Sequence, residues 1–157
     1  MDHATAEIFA ALPQHIELVQ SLWREYWDLT GLPPDFQGFA EEVETLPGRY
    51  APPAGRLLLA TVDGEPAGTA AFRPLSGTGC EAKRLYVRSE FRGQGVGEAL
   101  VRRILEEARA GGYREIFGDT LPSMSAALRI YQRLGFSETG PYSPNPTPGA
   151  VFLRRDL

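Results

Sequence analysis

Apolar positions in the first third of the chain recur at helical spacing. Ile16, Val19, Trp23 and Trp27 fall on one face of a segment from Leu12 to Thr30, with Pro13 tolerable in a first turn and Gly31 as a stop, so the pattern predicts a helix there. A short apolar stretch around Ala6 to Ala10 precedes it. Pro33 and Pro34 break the chain, and Phe39, Val43 and Leu46 then recur at helical spacing within Phe36 to Leu46, a shorter helix before Pro47. After the APPAG loop between Tyr50 and Gly55 the pattern changes. Arg56 to Val62 (RLLLATV) is an apolar run closed by Asp63 and Gly64, and Ala67 to Leu75 reads as its hairpin partner. Beyond the turn at Ser76 to Gly79, Cys80 to Val87 (CEAKRLYV) makes a third strand, and three strands in series predict an antiparallel meander.

The second half alternates strands with helices. Leu100, Ile104, Leu105 and Ala108 stripe a helix from Gly97 to Ala110, which Gly111 and Gly112 end. Arg114 to Asp119 then reads as a strand, Ser123 to Leu134 as a helix closed by Gly135, and Phe136 to Thr139 as the start of another strand. That order predicts a parallel crossover joined to the meander. PYSPNPTPG is a proline-broken loop, and AVFLRRDL a terminal strand. With 157 residues and no repeat or linker, the chain reads as one domain, 1–157.

Composition removes several function classes. Hydrophobic residues are 43% and charged residues 23%, which excludes disordered and collagenous chains. The net charge of -4 repels phosphate backbones and disfavours nucleic acid as a partner. A lone Cys80 can form neither an intramolecular disulfide nor a CxxC pair, which suits a reducing cytoplasm, and it reads as buried strand filler. No stretch approaches a membrane span or an export signal. His3 and His15 lack a ligand cluster around them, so no metal is expected.

The chemistry begins at Arg92-Gly93-Gln94-Gly95-Val96-Gly97, after a strand and at the start of the strongest helix. Glycines there let successive backbone N–H groups approach an anionic ligand, and the helix N-terminus adds partial positive charge, as a pyrophosphate cradle requires. The loop lacks GxxxxGK[ST], which excludes an ATP P-loop, and Glu98 occupies the last position of a GxGxxG fingerprint.

Together with LYVRSEFRGQGVG and the later ALRIYQRLGF, this loop resembles the GNAT acetyltransferase superfamily, whose (Arg/Gln)-x-x-Gly-x-(Gly/Ala) pattern is matched by Arg92, Gly95 and Gly97. The resemblance runs from about Arg56 to the C-terminus. It implies an α+β fold with a mixed, mostly antiparallel sheet splayed at its centre and flanked by about four helices. It also implies acetyl-CoA as co-substrate, with backbone groups of Leu85, Tyr86 and Val87 meeting the pantetheine and acetyl carbonyl, and Arg92 with the N–H groups of Gly93, Gln94, Gly95, Val96, Gly97 and Glu98 around the pyrophosphate.

Direct transfer to an amine needs a neutral nucleophile, donors for an oxyanion and an acid for the departing thiolate. Tyr131 matches the family tyrosine that protonates the thiolate, with core packing as its other reading. Glu81 matches a strand carboxylate that acts as base through water, or else pairs structurally with Lys83 or Arg84; period two places it on one face with Lys83, Leu85 and Val87. Tyr142 and Asn145 in the proline-rich loop, and Tyr26 on a second face of the first helix, are expected to border the acceptor. Trp23 and Trp27 read as core, and Ser123 stands as helix cap where many members have Asn. Lys83 to Arg114 carries eight basic and four acidic residues, +4, leaving -8 elsewhere, which suggests a basic cofactor side and an acidic side for a cationic amine. The expected activity is N-acetylation of a small primary amine such as an amino acid or polyamine, by a chain that leaves room for a homodimer. The alternatives are a protein N-terminal or lysine acetyltransferase, a non-catalytic acyl-CoA sensor, and a nucleotide-binding regulator.

Overall fold

The apolar runs fold as neighbours in one sheet. The computed structural model describes residues 6–145 and 147–157; His3 lies outside them. Ala6–Ala10, whose apolar character alone carried no strand signal, is the edge strand β1. It pairs antiparallel with β2 (Arg56–Val62), which pairs with β3 (Glu65–Ser76), which pairs with β4 (Gly79–Val87). The helix α3 (Val96–Ala110) then crosses to β5 (Glu115–Thr120), parallel to β4. After α4 (Ser125–Arg133), β6 (Ser137–Thr139) lies at the far edge and β7 (Val151–Asp156) inserts between it and β5. The order is therefore β1-β2-β3-β4-β5-β7-β6, mixed and mostly antiparallel as expected.

Two departures from regular pairing create space at the centre. β4 and β5 pair only over Gly79–Glu115, Cys80–Ile116 and Glu81–Phe117 and then diverge, so the rest of β4 has no ladder on that edge. On its other edge the register against β3 slips by one, Thr69 facing Tyr86 and Ala71 facing Lys83, so Arg84 and Leu85 share the place opposite Ala70. Arg84 occupies this bulge with φ +61°. An extra residue reverses the side-chain alternation. Lys83 and Arg84 consequently face the same side, while Leu85 and Val87 pack with Cys80 and Ala82 on the opposite side. The shared face expected for Glu81, Lys83, Leu85 and Val87 is corrected by this one irregularity.

Helices cover both faces of the sheet, which is why Leu57, Leu58, Leu59 and Ala60 are apolar and buried in succession rather than at every second position. Leu57 and Leu59 meet α1 (Ile16–Thr30) and α2 (Phe39–Glu44), in a core with Trp23, Trp27 and Phe39. Leu58 and Ala60 meet α3, whose Leu100, Ile104 and Ala108 are buried along one stripe. The first predicted helix begins as a 3-10 turn at Pro13–His15, where the His15 Nδ1 accepts the Leu12 N–H. The second breaks at Gln37 and Gly38, both at positive φ, before α2 proper.

Candidate active site

Where β4 and β5 part, an open cleft of about 820 Å³ runs along the end of the sheet. Leu85, Tyr86 and Val87 form one wall, and Arg92, Gly93, Gly95, Val96, Gly97 and Glu98 form its floor at the start of α3. Of the residues expected here, only Gln94 stays off the cleft, its side-chain amide donating to the Glu90 carbonyl at 3.3 Å. Gly93 and Gly95 sit at φ +78° and +81°, a left-handed conformation that turns the chain sharply into the helix without a Cβ penalty. A Cβ there would touch nothing within 4 Å, so both glycines face open space. Arg129 of α4 adds a cation to the opposite wall, and the Arg92 Nε donates to the Val87 carbonyl at 3.2 Å.

Beside the cleft lies a smaller cavity of about 40 Å³. Tyr26, Leu85, Met124 and Ala127 line both spaces and are the boundary between them. The cavity wall carries Trp27, Phe36, Lys83, Arg84, Asp119 and Thr120, with Tyr131 and Asn145.

A chain of alternating charges runs beneath it. Arg84 Nε donates to Glu42 Oε1 at 3.0 Å, and Arg73 joins Glu42 at 3.2 Å to Glu81 at 3.2 Å. Lys83 then links Glu81 at 3.7 Å to Asp119 at 3.5 Å. Three cations and three anions alternate, so each buried charge has an opposite neighbour, as burial demands. The Glu42 carboxyl is held below its ordinary range: burial pushes it up, but the Arg84 charge, hydrogen bonds from Arg84 and Tyr50, and Arg73 together outweigh that.

Glu81 is 2% exposed and its Oε2 accepts the Tyr142 hydroxyl at 2.7 Å. It lies in the ion-pair geometry, with Lys83 and with Arg73 rather than Arg84. Asn145 reaches the cavity wall and donates from Nδ2 to Asp119 Oδ2 at 2.9 Å, whereas Tyr142 packs its ring between Phe117 and Phe152.

Residues 16–136 match the model of the Acetyltransferase (GNAT) family. The chain belongs to that family. A curated relative, an uncharacterized N-acetyltransferase of Schizosaccharomyces pombe, is 37% identical over 148 residues, covering 93% of this chain and 91% of the other. In fold, the GNAT-family acetyltransferase structure from Staphylococcus aureus superposes with TM-score 0.82 at 18% identity, covering 98% of this chain and 99% of that one. The PaiA N-acetyltransferase of Thermoplasma acidophilum, solved in complex with coenzyme A, superposes with TM-score 0.75 at 16% identity over 98% and 99% of the two chains.

Within this GNAT acetyltransferase, Tyr131 is buried on α4, with its ring edge-on to Phe136 at 4.9 Å. Burial pushes its phenol well above the ordinary range, and Tyr26, Asp119 and Glu81 push it further, so it stays protonated. Tyr26 donates its hydroxyl to Met124 Sδ at 3.5 Å, and its own pKa is pushed up to about 12 by burial against the lowering charge of Arg84 and with help from Asp119. Cys80 is fully buried, and burial pushes its thiol up to about 12, so it is not a nucleophile at neutral pH.

Ser123 does not cap the tyrosine helix. The turn at Leu121, closed by Met124 N–H to the Leu121 carbonyl at 2.9 Å, moves the cap one residue further, and Met124 becomes the N-cap without a side-chain bond. Sequence reasoning missed Asp119 and Thr120. Their signal was a polar pair ending the strand after the crossover helix, the carboxyl end at which such sheets open. No helix among the described residues is long and apolar enough to cross a membrane.

Proposed function

We propose that this GNAT acetyltransferase transfers an acetyl group from acetyl-CoA directly to the primary amine of a small molecule. One observation carries the reading: a glycine-floored cleft at a helix N-terminus meets a small charged cavity, with Tyr131 in the cavity wall. The cleft residues fit an acyl-CoA. Gly93 and Gly95 leave the first N–H groups of α3 open, Arg92 and Arg129 supply cations for phosphates, and the unpaired edge of β4 can take an extended pantetheine arm. Bound there, acyl-CoA supplies the activated acyl carbon.

The remaining roles fall to side chains and backbone of this chain. At the β4 bulge, Arg84 and Leu85 face a single partner residue, which frees a backbone N–H for a carbonyl oxygen as negative charge develops on it. Asp119 is the carboxylate on the cavity wall and takes the ammonium proton, Lys83 and Asn145 fixing its two oxygens. Glu81 acts as a positioning anion that holds Lys83 against Asp119. Tyr131 Oη, kept protonated, donates to the leaving sulfur. The small volume of the cavity, about 40 Å³, suits a small acceptor better than a polypeptide.

The test is coenzyme A release from acetyl-CoA against a panel of small amines and N-terminal peptides, with acetylated product measured in parallel. Equal amounts of thiol and N-acetyl product with small amines are expected; silence across the panel at saturating acetyl-CoA would sink the reading. The loop is tested separately. Gly95→Val should raise the KM for acetyl-CoA about tenfold, because a side chain forced into the left-handed region costs about 1–2 kcal/mol and the loop relaxes out of the turn that opens α3. An unchanged KM would remove the loop from acetyl-CoA binding.

A further inference from the structure

Two polar atoms of the acceptor cavity have no protein partner. Arg84 Nη2 and Thr120 Oγ1 are buried and unpaired, and both residues line the cavity. Arg84 is 7% exposed and Thr120 2%, so bulk water does not serve them. The guanidinium is fixed in place: its Nε is held by Glu42, and its central carbon lies 5.1 Å from the ring centroids of Trp27 and Phe39. A buried donor fork with one arm left over is a preformed half of a carboxylate site.

The local charge points the same way. Lys83, Arg84 and Asp119 are the ionic side chains of the wall; Glu42 and Glu81 balance the two cations from beneath, and Asp119 is the one anion the wall itself presents. A second ammonium, as in a polyamine, would find no second carboxylate on a wall that otherwise carries Lys83, Arg84 and apolar Trp27, Leu32 and Phe36. A zwitterion meets a matching wall, its ammonium at Asp119 and its anion at Arg84. Arg84 and Asp119 line the same small cavity, which places the two opposite charges in reach of one small molecule. We infer that the acceptor is an amino acid, a primary amine whose own carboxylate is taken by Arg84 Nη2 and Thr120 Oγ1. The inference rests on the acetyltransferase reading above and narrows it.

The experiment compares matched pairs, a free amino acid and the amine left by its decarboxylation, leucine with isoamylamine and phenylalanine with phenethylamine, under saturating acetyl-CoA. Hydrogen bonds to a charged group predict kcat/KM about ten- to a hundredfold higher for the amino acid. Arg84→Lys, which keeps the charge but lacks the fork, and Thr120→Val, which keeps the shape but lacks the hydroxyl, should each bring that ratio toward one. Equal or faster turnover of the decarboxylated amines, or a ratio unmoved in the folded Thr120→Val protein, would overturn the carboxylate site while leaving the acetyltransferase reading intact. If no amine is acetylated, that reading fails first, and calorimetry on coenzyme A-loaded protein decides the site: heat from the amino acid in the native protein that is lost in Thr120→Val supports it, and no heat in the native protein overturns it.

Discussion

Replacing Tyr131 by Phe is expected to lower kcat for acetyl transfer about 10²- to 10³-fold, the usual worth of a positioned general acid, while the KM for acetyl-CoA stays within about twofold. The reason is geometric. Tyr131 lines the acceptor cavity but not the phosphate end of the cleft, so its hydroxyl can serve the departing sulfur without holding the nucleotide. Its protonation follows from burial, with Tyr26, Asp119 and Glu81 adding to it. The same shift excludes a base role, because the phenolate is out of reach at neutral pH. Stopped-flow rates for wild type and Tyr131→Phe, compared with coenzyme A titrations of both, check the split. A proportional loss of rate and affinity would make Tyr131 a packing residue.

The largest stability effect is expected at Glu42. Its carboxylate accepts from Arg84 at 3.0 Å, Arg73 at 3.2 Å and the Tyr50 hydroxyl at 2.8 Å, and it is the only anion that touches Arg84 among the described ion pairs. Glu42→Gln keeps the shape and removes the charge, which leaves Arg84 without an anion while Arg73 keeps Glu81, and should cost about 3–5 kcal/mol, the range for breaking a buried pair. Urea unfolding at neutral pH measures it; a loss within experimental error would mean that Arg84 is balanced elsewhere. The native protein carries a matching pH signature. The folded Glu42 carboxyl is depressed below its unfolded value, so its contribution is complete above the unfolded pKa of about 4.3 and disappears as pH falls through the lower folded value. Stability should therefore drop on acidification below that point, and Glu42→Gln should lack that part of the drop.

The sequence made the architecture legible because its signals were periodic. An i, i+4 stripe from Leu100 to Ala108, three apolar runs separated by Asp63-Gly64 and Ser76 to Gly79, and a glycine turn before α3 each carry local physics that the fold obeys. β1 was hidden because AEIFA is too short to show alternation and gains its hydrogen bonds from β2, some fifty residues away. The glycine-floored end of the cleft was legible for the same reason as the helix: its backbone amides and glycines are contiguous in sequence. The acceptor end was not. Glu42, Arg73, Lys83, Arg84 and Asp119 come from four separate elements, and their pairing depends on the divergence of β4 from β5, which no local pattern encodes. Glu81 was found as a carboxylate on the right strand, but its neighbours Arg73 and Tyr142 lie 8 and 61 positions away.

The bulge in β4 has a meaning for how such a site can be gained or lost. Removing Arg84 from the chain would leave Lys83 and Leu85 alternating as an ordinary strand, with every other side chain still on its present face. The regular ladder would be free of the strain of about 1 kcal/mol or more that a non-glycine residue bears at positive φ. It would also have a wall with one cation fewer. In geometric terms Arg84 is a supernumerary residue, a single codon whose presence makes the sheet less regular and adds a cation to the cavity wall. On the proposed reading, acceptor preference depends on the length of the strand as well as on its side chains, and point changes that keep that length can tune the preference but cannot restore the plain ladder.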